Sequence, residues 1–277
     1  FFMMVEMGCD RLHHGFWRHI AADHPLHVPG NRFIDVGREY YAYVDREIGT
    51  LVEFADDETT VLVVSDHGAR TMRGGICISE WLLRHGYLAL RETPERPTPL
   101  ARLEIDWSRT KAWGEGGYCG RVFFNVRGRE PQGIVPPEEL EAECEVLKER
   151  LEALPDEKGQ PLGTVVHRPR DVYPVARGTP PDLFVFFGDL AWRSIGSIGH
   201  GAVHAADNDT GPDDANHSWD GILVASGARI PAVGRIEGAQ LGDVARTVVE
   251  LLEVTPPETM GGASIVARAQ RAREHVA

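Results

Sequence analysis

Residues 59–65 read TTVLVVS and run directly into Asp66, His67 and Gly68. A short β-branched run that is apolar on both faces is typical of a central parallel strand covered by helices on each side. Asp66 and His67 then follow at the end of this strand, where open α/β sheets bind their ligands. Gly68 permits the tight backbone turn that comes next. This stretch therefore predicts an α/β fold with a functional site at the strand end.

Outward from this strand, helix-like and strand-like patterns alternate along the chain. Apolar positions recur with helical spacing most clearly at 31–54, and the other predicted helices are at 79–85, 137–154 and 241–252. Further strands are predicted at 1–8, 121–126, 182–187 and 222–225, and a long surface loop at 194–216. Such alternation favours a mostly parallel central sheet flanked by helices. We expect one domain over residues 1–277, with 88–180 as an inserted or edge segment that shapes the pocket.

The composition excludes several classes of function. The chain has 277 residues, and 29 Lys and Arg against 42 Asp and Glu give it a net charge of −13. Such a chain repels nucleic-acid polymers and anionic membranes, and none of its apolar runs approaches the ~20 residues of a membrane span. The four cysteines form neither a CxxC motif nor a disulfide framework, which fits reduced thiols in a cytoplasmic protein. An anionic ligand would need positive charge from elsewhere, and metal ions are the obvious source.

Two further short motifs carry metal-binding side chains. Asp10 and His14 are four residues apart, so one helical turn places them on the same face, and His217 lies in the sequence Asn216-His217-Ser218. Taken singly, these motifs also fit a surface ion pair or capping aspartate, and an ordinary loop histidine. With Asp66 and His67 they make a set of oxygen and imidazole donors that suits Zn²⁺ or Mn²⁺. Two such ions can clamp a phosphoryl group during in-line displacement.

The order of these motifs resembles the metal-binding half of the alkaline phosphatase superfamily. Asp10-x-x-x-His14, Ser65-Asp66-His67-Gly68 and a distal His217 carry this resemblance. Other pieces are similar to the type I phosphodiesterase/nucleotide pyrophosphatase-like branch, close to a predicted phosphohydrolase/phosphomutase group. They include Asp10-Arg11-x-x-His14-x-Phe16-Trp17, Ile105-Asp106-Trp107-Ser108, Gly128-Arg129-Glu130-Pro131 and Asp243-Val244-Ala245-x-Thr247.

The resemblance implies a site with two divalent ions, Zn²⁺ first and Mn²⁺ as the alternative. Asp10, His14 and His217 correspond to the ligands of one ion. Asp66 and His67 correspond to ligands of the second ion, which in the superfamily also takes an Asp from the first strand and lies beside a nucleophilic Thr or Ser. Those elements normally precede the segment that starts at Phe1, and nothing in this sequence replaces them. We therefore expect a C-terminal portion of the fold that lacks the nucleophile.

The implied activity is metal-dependent hydrolysis of a small phosphoric ester, as in phosphodiesterases and phosphatases. A phosphomutase on the same machinery and a non-catalytic metal-binding domain are the alternatives. Lys111 and Arg129 are weaker candidates to meet substrate phosphate, and a solvated or ion-paired strand surface is the favoured alternative. His204 is a candidate for the mouth of the site, with an ordinary solvated loop as the alternative. The substrate and the oligomeric state stay open.

Overall fold

The computed structural model contains both helices and strands, and it describes residues 1–206 and 213–276, with only the backbone for 275 and 276. The described α-helices are α1 (Gly8–Ile20), α2 (Ile34–Val52), α3 (Ile78–Arg84), α4 (Leu140–Glu152), α5 (Pro169–Val172), α6 (Leu241–Leu251) and α7 (Ile265–Val276). The strands are β1 (Val61–Val64), β2 (Gly68–Thr71), β3 (Gly74–Cys77), β4 (Ala112–Glu115), β5 (Gly120–Phe124), β6 (Val165–His167), β7 (Leu183–Phe186), β8 (Trp192–Ile195), β9 (His204–Ala205), β10 (Ala215–Ser218) and β11 (Leu223–Ser226). The fold class is therefore mixed α/β. Among the described helices, none is both long enough and apolar enough to cross a lipid bilayer.

The chain forms two compact units. The first contains Phe1–Gly37 and Ala69–Ser218, and the second contains Arg38–Gly68 and Trp219–Ala277. Each unit therefore consists of two separate stretches of the chain.

The core of the first unit lies between a four-stranded sheet and α4. The strands follow the order β4-β5-β7-β6, and α4 places Cys144, Leu147 and Leu151 against them with 1% exposure or less. Phe124 and Phe187 are fully buried in the same cluster. Three of the four strands and α4 come from the segment 88–180, so this segment supplies much of the core of the unit.

The predicted mostly parallel central sheet is not what these strands form. Of the pairings β1–β11, β3–β8, β3–β9, β4–β5, β5–β7 and β6–β7, only β3–β8 is parallel. The decisive run at 59–65 contains β1, which pairs antiparallel with β11, and Val64 at its end is 40% exposed. An apolar run indicates that a strand can be buried, but it does not specify the direction of the neighbouring strand, which is why this prediction was wrong.

Most of the predicted elements are confirmed, with two exceptions. The helices predicted at 31–54, 79–85, 137–154 and 241–252 correspond to α2, α3, α4 and α6, and β5, β7 and β11 are also confirmed. The strand predicted at 1–8 is wrong, because residues 1–7 have no regular structure and Phe1 is 85% exposed. The loop predicted at 194–216 contains β9 and the start of β10, while 207–212 lie outside the described residues.

In the second unit, the carboxylate of Asp243 joins α6 to the segment before α7. Asp243 is 1% exposed and accepts hydrogen bonds from the backbone N–H groups of Gln240 (2.9 Å) and Ala263 (2.6 Å). The guanidinium of Arg268 donates to the same carboxylate at 2.9 Å. One turn further, the hydroxyl of Thr247 accepts a hydrogen bond from the Ile265 N–H at 2.8 Å. Two side chains of α6 thus fix the start of α7.

Candidate metal centre

Helix α1 presents two of the predicted ligands on one face. Asp10 and His14 are one turn apart in α1, and Oδ1 of Asp10 lies 3.3 Å from Nε2 of His14. The helix is anchored to β2, because the indole N–H of Trp17 donates to Oγ1 of Thr71 at 2.9 Å. The spacing that the sequence predicted therefore brings a carboxylate and an imidazole together.

Strand β10 brings the third predicted ligand to the same place. Nε2 of His217 lies 3.7 Å from Oδ1 of Asp10, and the rings of His14 and His217 have centroids 5.4 Å apart. The chain just before β10 is fixed to α1, because the N–H of Asp214 donates to the carbonyl oxygen of His14 at 2.8 Å. Asp10, His14 and His217 are called the histidine cluster below.

A second carboxylate determines which nitrogen of His14 faces the cluster. Nδ1 of His14 lies 2.7 Å from Oδ1 of Asp213, so this nitrogen carries a proton and donates a hydrogen bond to the carboxylate. The hydrogen bond with Asp213 raises the pKa of His14, burial lowers it, and the charges of Asp213 and Asp10 raise it further. The net direction is upward. Within the described residues, the buried Nε2 of His14 has no hydrogen-bond partner.

The histidine cluster has the chemistry of a divalent metal site. One carboxylate oxygen and two imidazole nitrogens are donors that Zn²⁺ and Mn²⁺ accept. Asp10 and His217 each offer a ligand atom within 4.8 Å of the other. A buried imidazole nitrogen without a hydrogen-bond partner is costly unless something occupies it, and a metal ion would do so. The residues therefore fit such an ion.

Two further residues of the first unit adjoin the histidine cluster. The ring of Tyr118 stacks on His217, with centroids 3.7 Å apart and an interplanar angle of 26°. The guanidinium of Arg193 lies 4.7 Å from the centroid of Tyr118 and forms an ion pair with Asp213. Sequence reasoning missed Asp213, Tyr118 and Arg193. Of these three, only Asp213 could have been noticed in the sequence, as an acidic residue four positions before the predicted ligand His217.

A close approach of two backbones places Tyr118 beside Arg193. Gly117 and Ser194 exchange backbone hydrogen bonds of 2.9 and 3.0 Å in an isolated bridge. A Cβ atom at Gly116 would lie 2.5 Å from the backbone nitrogen of Gly196 and 2.7 Å from the carbonyl oxygen of Ser194. Glycine at position 116 is therefore required for this contact.

We expect Gly116→Ala to lower the free energy of unfolding by about 1–3 kcal/mol, because the added methyl group must push two backbones apart. Urea unfolding followed by circular dichroism measures this effect. Gly15→Ala in α1 is the matched control, since a Cβ there has nothing within 4 Å. That control should be neutral or stabilising by up to about 1 kcal/mol. Equal stability of the two variants would show that the contact at Gly116 tolerates a side chain.

Asp66 and His67, the remaining predicted ligands, belong to the second unit. Oδ1 of Asp66 lies 3.5 Å from Nε2 of His67, and the Asp66 side chain is 75% exposed. Nδ1 of His67 is 2.9 Å from the carbonyl oxygen of Gly68, so the proton sits on Nδ1 and leaves Nε2 as a donor atom. Both side chains therefore carry atoms of the type that bind metal ions, within their own unit.

The three substrate-binding candidates are engaged in other contacts. Lys111 forms an ion pair with Glu143 at 2.6 Å, and Nε2 of His204 lies 2.9 Å from the carbonyl oxygen of Pro155. Arg129 donates two hydrogen bonds of 2.7 Å to Asp182, whose carboxylate raises the pKa of this arginine. None of these partners is a member of the histidine cluster.

The comparison with protein families agrees with a phosphoester hydrolase. Residues 1–220 match the family described as Type I phosphodiesterase / nucleotide pyrophosphatase. The chain therefore belongs to this family, which is part of the alkaline phosphatase superfamily and is typically metal-dependent. A search of curated proteins and a search of solved structures gave no match.

Proposed function

We propose that this protein is a metal-dependent hydrolase of small phosphoric esters, and that Asp10, His14 and His217 hold one of its metal ions. The observation that carries the proposal is the convergence of these three side chains. Oδ1 of Asp10 lies 3.3 Å from Nε2 of His14 and 3.7 Å from Nε2 of His217. Their meeting from α1 and β10, in a chain of the phosphodiesterase family, supports a ligand set better than a surface ion pair.

The residues of the first unit prepare this site for a cation. Asp213 accepts a hydrogen bond from Nδ1–H of His14 and thereby leaves the lone pair of Nε2 facing Asp10. A divalent ion would act as a Lewis acid towards the phosphoryl group and offset its negative charge. The net charge of −13 makes such compensation necessary for an anionic substrate.

We also propose that Asp66 and His67 contribute to a second ion. Both residues lie between β1 and Gly68, and each side chain offers an atom that metal ions bind, a carboxylate oxygen of Asp66 and an imidazole nitrogen of His67. Zn²⁺ is the first candidate for both sites and Mn²⁺ the second, because the donors are carboxylates and imidazoles without thiolates. The substrate we favour is a small phosphoester, since a polymeric polyanion would be repelled by this charge.

We further propose that the covalent nucleophile of the family has no counterpart in residues 1–277. Thr59 and Thr60 precede β1, at the opposite end from Asp66, and Oγ of Ser65 accepts a hydrogen bond from the Ile222 N–H at 2.8 Å. Loss of a nucleophile costs several orders of magnitude in rate. The 277-residue chain should therefore hydrolyse phosphodiesters slowly and bind one divalent ion more tightly than a second.

Calorimetric titration with Zn²⁺ and Mn²⁺, together with hydrolysis of bis(p-nitrophenyl) phosphate, tests these proposals. One tight ion per chain, and slow hydrolysis that requires it, is the expected result. Absence of metal binding would overturn the metal site and with it the proposed function. Fast turnover that His217→Ala abolishes would keep the metal site and refute the missing nucleophile.

A further inference from the structure

His14 and His217 each contact a residue outside the histidine cluster, and both of those residues contact the side chain of Arg193. Arg193 lies on β8 and is 11% exposed. On one side its guanidinium pairs with Asp213, and on the other it covers the ring of Tyr118 at 4.7 Å. We propose that Arg193 is a positioning residue that orients both His14 and His217.

The first arm runs from Arg193 through Asp213 to His14. The Asp213 side chain is 10% exposed, so its carboxylate is bound mainly by protein groups rather than by water. Its two oxygens are divided, because Oδ2 faces Arg193 and Oδ1 lies 2.7 Å from Nδ1 of His14. Without Arg193 this buried carboxylate would lose its cationic partner. The carboxylate would then be less well fixed in place, and its hydrogen bond with His14 would weaken.

The second arm runs from Arg193 through Tyr118 to His217. The Tyr118 ring contacts both groups, with its centroid 4.7 Å from the guanidinium of Arg193 and 3.7 Å from the centroid of the His217 ring. Its centroid is also 5.9 Å from that of the His14 ring. A guanidinium over an aromatic face is attracted by the ring quadrupole, which restrains the tyrosine. The stacked tyrosine in turn fixes the plane of the His217 ring.

The two arms have a common consequence for the proposed function, on which this inference rests. Metal affinity depends on the orientation of the ligand rings, and outer contacts of this kind typically change it 10–100-fold. Because Arg193 supports two rings at once, its loss should affect His14 and His217 together. Loss of the Asp213 arm should release the Nδ1 proton of His14, and loss of the Tyr118 arm should release the plane of the His217 ring.

Nuclear magnetic resonance of the metal-free chain with ¹⁵N-labelled histidine tests the positioning directly, at alkaline pH where the imidazoles are neutral. In wild type, His14 should carry its proton on Nδ1, and the His217 ring protons should be shifted by the Tyr118 ring. Arg193→Met should move His14 towards the Nε2–H tautomer and remove the ring shift of His217. Arg70→Met is the matched control, since it loses one Arg–Asp pair of the same unit, with Asp189.

Titration of the same proteins with Zn²⁺ tests the effect on metal binding. Arg193→Met should weaken Zn²⁺ binding about 10–100-fold, and Arg70→Met should leave it unchanged. If Arg193→Met does not fold, the single-arm variants decide. Asp213→Ala should move His14 towards the Nε2–H tautomer and keep the ring shift of His217, whereas Tyr118→Leu should remove that ring shift and leave the His14 proton on Nδ1.

Two outcomes overturn the inference. Histidine signals in Arg193→Met identical to those of Arg70→Met would show that Arg193 positions neither ring. A His14 tautomer that changes in Tyr118→Leu, together with a His217 ring shift that disappears in Asp213→Ala, would show a general loss of structure instead of two arms. If wild type binds no Zn²⁺ while the histidine signals respond as expected, the positioning holds and the metal-site proposal fails.

Discussion

Replacing His217 by alanine is expected to weaken the binding of the first divalent ion at least about 100-fold and to reduce metal-dependent hydrolysis in parallel, because a direct ligand should matter no less than an outer-shell contact. His217 supplies one of three donors, and its Nε2 is 3.7 Å from Oδ1 of Asp10. With only Asp10 and His14 left as protein ligands, water would fill the other coordination positions of the ion. Titration with Zn²⁺ and the hydrolysis of bis(p-nitrophenyl) phosphate measure both effects.

His85→Ala is the matched control for this variant. His85 belongs to the same unit, but its ring stacks on Trp81 with centroids 4.0 Å apart, and its Nδ1 lies 2.8 Å from the Trp81 carbonyl oxygen. We expect that control to bind Zn²⁺ as the wild type does. Equal affinities of the His217 and His85 variants would exclude His217 as a ligand and contradict the proposed metal centre.

The ligand motifs of the first unit could be found in the sequence because their geometry is local. Asp10 and His14 are one helical turn apart, and helix periodicity alone places them on one face. The meeting with His217 could not be derived in this way, since it depends on the packing of α1 against the chain before β10. The resemblance to a known family supplied that connection, and the structure supplied the distances.

The supporting residues were missed for a related reason. Tyr118 and Arg193 are 75 positions apart in the chain and belong to no motif. They meet because Gly116 allows its backbone to approach Ser194 and Gly196, a contact that has no periodic signature. The relative direction of the paired strands was mispredicted because it also has no signature in the sequence. The apolar pattern of β1 is the same whether its partner β11 runs parallel or antiparallel.

Replacing Asp243 by alanine should lower the free energy of unfolding by about 3 kcal/mol, because it leaves the cation of Arg268 and two backbone N–H groups without their acceptor. The carboxylate is 1% exposed, so little water can replace it. Glycine at 262 keeps the surrounding turn tight, since a Cβ there would lie 2.6 Å from the carbonyl oxygen of Gly242. Urea unfolding at pH 7 gives the size of the effect.

The same variant has a distinct dependence on pH. Burial alone would raise the pKa of Asp243, but the N–H groups of Ala263 and Gln240 and the charge of Arg268 outweigh it, so the pKa lies below the ordinary value of 3.8. A carboxyl group with a lowered pKa stabilises the fold above the pKa of the unfolded chain, and this contribution is lost as the pH falls through the folded value. The difference between wild type and Asp243→Ala should therefore be largest near pH 7 and shrink below pH 3.8.

Asp57→Ala, at an exposed position of the same unit, is the control and should change stability by no more than about 0.5 kcal/mol at either pH. A difference for Asp243→Ala that stays constant or grows in acid would show that packing, and not the ionised carboxylate, holds α6 to the start of α7.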